Sequence, residues 1–261
     1  MNLQGSSRAD DRPLDPQLTP LNLSPAPGHL IAFHGWGLGP GYWQRWADLC
    51  QGSGWLFSAY DRGYFCTGSL PTSPLTFTPG VPWRGILAHS YGLHLCPPSL
   101  WQEANFAIVW GGFPHFHPLD PALGRSSRRR LQQMIRQCDR QPQAVLQQFW
   151  HQTAAPEPWD PASLGRSLGP APWGEWNITR LVQDLQDLDR SHFTPPPLPL
   201  LWFHGAEDAI VPPALGQELG RLWQSQGDQR VTGYLMPQAG HGLPWSHASW
   251  CWQQMIHWLC P

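Results

Sequence analysis

The sequence predicts an α/β protein: a mostly parallel sheet flanked by helices, with a helical segment inserted after one strand. Three observations predict it. Short apolar runs alternate with stretches of helical periodicity, the signature of strands buried on both faces and joined by crossover helices. One run, Ile86-Leu87-Ala88, ends in Ala88-His89-Ser90-Tyr91-Gly92, a small-x-Ser-x-Gly turn from strand to helix. A long block without strand signals, 113–195, then interrupts the alternation.

Taken in order, residues 1–24 mix Asp, Arg, Gln, Ser and Pro without apolar periodicity and are expected to form a poorly ordered leader. The first strand is His29-Leu30-Ile31-Ala32-Phe33, stopped by glycines, and Tyr42 to Cys50 follows at helical spacing. Trp55 to Tyr60 is the next strand. Asp61 to Trp83 should carry a crossover helix, yet Pro, Thr, Ser and Gly dominate it, so a loop or a single helical turn is expected. Arg84 to Ala88 leads into the serine turn, and Phe106 to Trp110 follows. Helical patterns then cover Pro121 to Arg140, Pro142 to Thr153 and Asn177 to Arg190, with Asn177 as N-cap. Pro195-Pro196-Pro197 returns the chain to strands at Leu198 to Phe203 and Arg230 to Met236, and Ser246 to Leu259 forms the last helix. The layout is that of the α/β-hydrolase fold in outline, with a core at 25–112 and 196–261 and a helical lid at 113–195.

Composition narrows the function. Formal net charge is −2, so no global field favours nucleic acid or an anionic membrane surface. No apolar stretch approaches the ~18 residues that span a bilayer. The chain's 6 cysteines lack CxxC spacing and no secretory signal opens it, which reads as free thiols in a cytoplasmic protein. All 16 basic side chains are arginine, which excludes lysine Schiff-base chemistry and lysine-attached cofactors. The 17 tryptophans serve mostly as core filler, some as walls of an apolar pocket.

The chemistry sits where strands end. Ser90 is the candidate nucleophile, because its turn lifts a hydroxyl above the sheet and needs small neighbours at Ala88 and Gly92. After the strand Leu198 to Phe203 comes His204-Gly205-Ala206-Glu207-Asp208-Ala209-Ile210-Val211-Pro212. Asp208 is the candidate acid there, with Glu207 as its local competitor. After Arg230 to Met236, Gly240-His241-Gly242 offers His241 as base. The order Ser90, Asp208, His241 is the chain order of this fold's catalytic triads. His34-Gly35-Trp36-Gly37 follows the first strand, so the backbone N–H groups of Trp36 and Tyr91 are the candidate oxyanion-hole donors. The Trp36 and Tyr91 side chains are candidates to line the acyl pocket, and His34 reads as structural. His115-x-His117 has metal-like spacing but no third ligand nearby and reads as surface; no metal site is expected.

His34-Gly35-Trp36-Gly37-Leu38 with Tyr42-Trp43, the serine turn, the Asp208 segment and Gly240-His241 together resemble the pimeloyl-[acyl-carrier protein] methyl ester esterases of biotin synthesis. The likeness covers about residues 28–112 and 198–259. Asp61-Arg62-Gly63-Tyr64-Phe65 departs from the Asp-x-x-Gly-x-Gly loop of many relatives. The resemblance implies removal of a methyl group from a carrier-bound ester, with no cofactor, and an arginine-bearing lid that helps hold the acidic carrier. Arg125, Arg128, Arg129, Arg130, Arg136 and Arg140 are the corresponding candidates for substrate or carrier binding, against the alternative of a solvated helix face. Two other functions stay open: a general esterase or lactonase acting on small apolar esters, and a non-catalytic binding protein on the same scaffold.

Overall fold

Alternation along each strand builds a sheet with two buried faces. In the computed structural model, which describes residues 28–65, 75–158, 176–227 and 229–260, six strands form one sheet: β1 (Gly28–Phe33), β2 (Leu56–Tyr60), β3 (Trp83–His89), β4 (Phe106–Trp110), β5 (Leu200–Gly205) and β6 (Val231–Met236). The expected leader 1–24 and Cys66 lie outside the described residues. Leu30, Ala32, Leu87, Ile108, Trp110 and Phe203 enter one core, while Ile31, Phe33, Ile86, Ala88, Ala107 and Val109 enter the other. Neighbouring residues point to opposite faces, so both faces read as apolar and the runs look continuous in sequence.

The strand order is β2-β1-β3-β4-β5-β6 and every pairing is parallel. All carboxyl ends therefore lie along one edge. The chain steps outward from β1 to β2 and then returns past β1 to β3, so the direction of winding reverses between β1 and β3. Loops leaving those two strands diverge there and leave a crevice, the usual ligand position of an open α/β sheet. Phe33 pairs with Ala88 and His89 with Trp110, so the loops after β1, β3 and β4 start level with one another.

One face packs α1 (Gln44–Gly52) and the C-terminal helix against the sheet through indoles: Trp46 lies 4.8 Å from Trp110, and its Nε1–H donates to Pro244 O at 2.9 Å. A 3-10 turn, Pro40–Trp43, precedes α1 and takes Tyr42 and Trp43 from the expected helix into the core. The other face carries α2 (Gly92–Leu95), α3 (Pro98–Glu103) and, after β5, a longer helix, Pro213–Gln224. The helix opened by the serine turn stops after one turn, because Pro97 pushes Cys96 to extended backbone (φ −70°, ψ 121°) and Pro98 does the same to Pro97 (φ −67°, ψ 148°). No helix occupies the described parts of 61–82, in line with the composition of that stretch.

Between β4 and β5 lie α4 (Pro121–Arg140), α5 (Pro142–Ala154) and α6 (Ile178–Asp189). Asp120 caps α4 through Ala122 and Leu123 N–H, and Asn177 caps α6 through Arg180 N–H. The Pro213–Gln224 helix is α7. A short α8 (Leu243–Ser246), not among the expected elements, is followed across His247 (φ −121°, ψ 30°) by α9 (Ala248–Leu259), the expected last helix, Ser246 to Leu259.

Candidate active site

Ser90 occupies the corner between β3 and α2 at φ +55°. A side-chain-bearing residue pays about 1–2 kcal/mol to enter this left-handed region. The surroundings hold it there: Ser90 N–H donates to Trp110 O across the sheet at 2.9 Å, and Leu93 N–H donates back to Ser90 O at 3.1 Å. Gly92 makes the corner possible, because a Cβ at that position would stand 2.2 Å from Phe33 O. Ala88, where glycine is commoner, is fully buried among the β1 and β4 side chains.

Asp208 projects from the turn after β5 and is saturated with donors. Its Oδ1 accepts Ile210 N–H (2.9 Å) and Val211 N–H (2.8 Å), and its Oδ2 accepts His241 Nδ1–H (2.7 Å); His204 Nε2, which donates to Val211 O at 2.9 Å, stands 3.2 Å from the same Oδ2. Burial opposes its ionisation, but His241 and His204 outweigh burial and hold the carboxyl well below the usual carboxylate range. Glu207, the competitor, is exposed.

His241 sits on the loop after β6 and is 1% exposed. With Nδ1 carrying its proton toward Asp208, Nε2 presents a lone pair; that nitrogen is buried and has no protein hydrogen-bond partner. Ser90 Oγ is therefore not bonded to it here, although both residues lie at the same edge of the sheet. Gly111, just past β4, faces the pair: at φ +53°, a Cβ would stand 3.1 Å from His241 Nδ1 and 3.5 Å from Asp208 Oδ2.

The loop after β1 closes the other side. A Cβ at Gly35 would stand 3.1 Å from Ser90 Cβ, which brings the Gly35-Trp36 peptide beside the serine. In the turn after β3, Leu93 and His94 N–H bond to Ser90 and Tyr91 O, leaving the Tyr91 and Gly92 amides as the free donors that open a helix. The Trp36 indole is not a loose pocket wall: Nε1–H donates to Leu181 O at 2.8 Å and the ring meets Phe149 edge-on at 5.0 Å. Tyr91 lines a cavity of about 540 Å³ with His94, Trp101, Asp187 and Phe193, between α2–α3 and the return segment after α6. Ser90 and His241 are not part of its wall.

Helices α4–α6 are tied to this centre at several points. Trp150 Nε1–H of α5 donates to Gly37 O at 2.7 Å, and Gly242 N–H, next to His241, donates to Thr153 O at 2.8 Å. Asp184 of α6 is fully buried and takes a two-point ion pair from Arg62, Nε to Oδ2 at 2.7 Å and Nη2 to Oδ1 at 2.6 Å, and the Tyr64 hydroxyl at 2.6 Å. Ser90, at 7% exposed, and Asp208, at 8%, share the resulting seclusion from solvent.

The α4 arginines do not approach the centre. Arg125, Arg128, Arg129, Arg130, Arg136 and Arg140 are all exposed; Arg128 Nη1 reaches Asp189 Oδ1 at 3.4 Å and Arg130 Nη2 reaches Ser126 Oγ at 3.4 Å. At about 100° per residue, Arg125, Arg129, Arg136 and Arg140 fall on one stripe of the helix. His117 corrects the surface reading of His115-x-His117: it is buried, pinned between Ser127 of α4 and Asp189 of α6, while His115 bonds Glu218 of α7. Among the described residues no cluster of three or more His, Cys, Asp or Glu side chains could hold a metal ion.

Sequence reasoning assigned no role to three contributors. His204 was visible as the strand-end histidine four residues before Asp208. His89 precedes Ser90, and its Nε2–H donates to His241 O at 2.9 Å, anchoring that loop; burial and the neighbouring His241 hold His89 neutral, well below the ordinary histidine range. Asp184 gave no local signal, because its partner Arg62 is far away in the chain.

No family model matches this chain, and neither does any curated protein. Solved structures do. A hydrolase from Oleispira antarctica is similar at TM-score 0.69 and 14% identity over 88% of this chain and 90% of that one. An esterase from Exiguobacterium antarcticum is similar at 0.68 and 14%, over 90% and 93%. An enol-lactonase from Burkholderia xenovorans gives 0.57 and 14%, over 91% and 93%. At these identities the likeness is one of fold: a parallel six-stranded sheet flanked by helices in the α/β-hydrolase arrangement. Among the described residues no helix is long and apolar enough to cross a membrane.

Proposed function

We propose that this chain is a cytoplasmic serine-dependent hydrolase of carboxylic esters. Ser90 Oγ attacks the ester carbonyl while His241 Nε2 takes its proton, and Asp208 keeps the imidazole in the Nδ1–H tautomer. The Trp36 and Tyr91 N–H groups receive the oxyanion, each such donor being worth about 3 kcal/mol. Collapse expels the alcohol, which leaves with the proton from His241. Water, giving its proton to His241, then attacks the acyl-serine, and collapse releases the acid and returns the proton to Ser90. Neither a metal nor an organic cofactor has a step to perform in this cycle.

The observation that carries the reading is the 2.7 Å bond from His241 Nδ1 to a carboxylate, at the sheet edge where a serine is held at φ +55°. The unpartnered His241 Nε2 is the atom the reaction needs free, and catalytic hydrogen bonds commonly tighten only with substrate bound. The esterases and the enol-lactonase among the similar folds support an ester or lactone as substrate. Hydrolysis of p-nitrophenyl esters by the wild type, falling to background in Ser90→Ala, is the expected result. Folded protein without turnover refutes it and favours a binding protein, whereas turnover that survives Ser90→Ala refutes the role of Ser90 as nucleophile.

Within that class we propose the methyl ester of pimeloyl-acyl carrier protein as substrate. The HGWGL phrase with Tyr42-Trp43 supports it, as do the exposed arginines of α4, which suit an acidic carrier. Replacing Arg128, Arg129 and Arg130 by Ala should weaken turnover of carrier-bound ester and spare a small ester. Growth of a biotin-requiring bacterial strain that lacks its own methyl esterase, dependent on Ser90, is the expected complementation. Failure to grow while p-nitrophenyl esters are hydrolysed would contract the reading to small esters or lactones.

A further inference from the structure

The polar groups of α6 lead, bond by bond, to the peptide beside Ser90. Asp184 holds the Arg62 guanidinium at two points. The backbone N–H of the same Arg62 donates to His34 Nε2 at 3.3 Å, and the other ring nitrogen, as Nδ1–H, donates to Gly35 O at 2.9 Å. The Gly35-Trp36 peptide is trans, so its N–H points opposite to its C=O. Fixing Gly35 O thus fixes the direction of Trp36 N–H. The remaining ties run the same way: Tyr64 O accepts Asn177 N–H at the start of α6 (2.9 Å), and the Trp36 indole bonds Leu181 O.

We infer that Asp184 is a positioning residue for the Trp36 amide, acting through Arg62 and His34, and that α6 is part of the catalytic frame, not a detachable cover. The inference rests on the reading of Trp36 N–H as an oxyanion donor. A bare stabilising role accounts poorly for the arrangement, since a buried ion pair is commonly no better for stability than apolar residues of the same volume. What apolar residues cannot do is orient the Arg62 backbone toward His34. Burial disfavours protonation of His34, so its ring stays neutral and keeps one donor and one acceptor for the two ends of the chain of bonds.

The test uses Asp184→Asn, which keeps the shape and removes the charge, and Tyr64→Phe, which removes one bond to Asp184 Oδ2 and keeps the ring. With a small p-nitrophenyl ester, kcat should fall about tenfold in Asp184→Asn and about threefold in Tyr64→Phe, with KM within about twofold, because a donor is misaimed and not removed. Inhibition by a trifluoromethyl ketone, whose serine adduct carries the oxyanion, should weaken by the same factor as kcat/KM. Circular dichroism confirms folding, and if Asp184→Asn does not fold, Tyr64→Phe decides alone. A lower melting temperature with kcat and ketone inhibition unchanged would overturn the inference, as would a rise in KM alone. Both of those outcomes leave the esterase reading standing; absence of Ser90-dependent turnover in the wild type would take down both.

Discussion

Replacing Ser90 by glycine should make the protein more stable while abolishing its chemistry. The serine is held at φ +55°, a region that costs a residue with a Cβ about 1–2 kcal/mol and costs glycine nothing. Glycine loses about 0.4–1 kcal/mol of that advantage through the greater freedom of its unfolded chain. Ser90→Ala is the proper reference, because it removes the hydroxyl and keeps the strained Cβ, which faces Gly35 closely. The difference between the two variants should therefore be about 1 kcal/mol in favour of glycine, or about 2 °C in melting temperature for a chain of 261 residues. Thermal unfolding followed by circular dichroism or calorimetry measures it, and p-nitrophenyl ester turnover should be at background in both. A glycine variant that melts at or below the alanine variant would refute the strained-corner argument, and with it the view that the fold spends stability to raise this hydroxyl.

Two more predictions follow from contacts at the same edge. Asp208→Asn should lower kcat by about 10³–10⁴ by disturbing the His241 tautomer. Its stability deficit should depend on pH: the Asp208 carboxyl is held below its unfolded value of ~3.9, so its contribution is present above about pH 4 and is lost as pH falls further. Denaturant titrations should thus show the gap between wild type and Asp208→Asn closing in acid, and a gap that widens there contradicts the assignment. Gly92→Ala should cost more than about 3 kcal/mol or prevent folding, since its Cβ meets a backbone carbonyl that cannot yield without moving β1; soluble protein with wild-type melting would show that the corner is looser than described.

Much of this arrangement is legible locally. Strands buried on both faces must be apolar throughout, so the runs at 29–33, 86–88, 106–110 and 200–203 stand out whatever surrounds them. Small residues around Ser90 and glycines around His241 are required by turns a few residues long, and such requirements are written in adjacent positions. Breaks were harder to see. The single-turn α2 and the 3-10 turn that takes Tyr42 and Trp43 out of the expected helix each hinge on one or two residues whose effect competes with strong apolar periodicity.

The sequence by itself determined the sheet, its fold class and the order in which a serine, a carboxylate and a histidine leave the strand ends, because strand periodicity and turn chemistry are short-range. Only the tertiary structure decided that Asp208 and not Glu207 meets His241, that His204 and His89 brace the pair, and that the α4 arginines face solvent away from it. It alone joined Asp184 to Arg62, separated by 122 positions. A contact between residues so far apart leaves no periodicity in the chain; it exists because a parallel sheet brings all its carboxyl ends to one edge, where the helices inserted between β4 and β5 reach the loops after β1, β2 and β6.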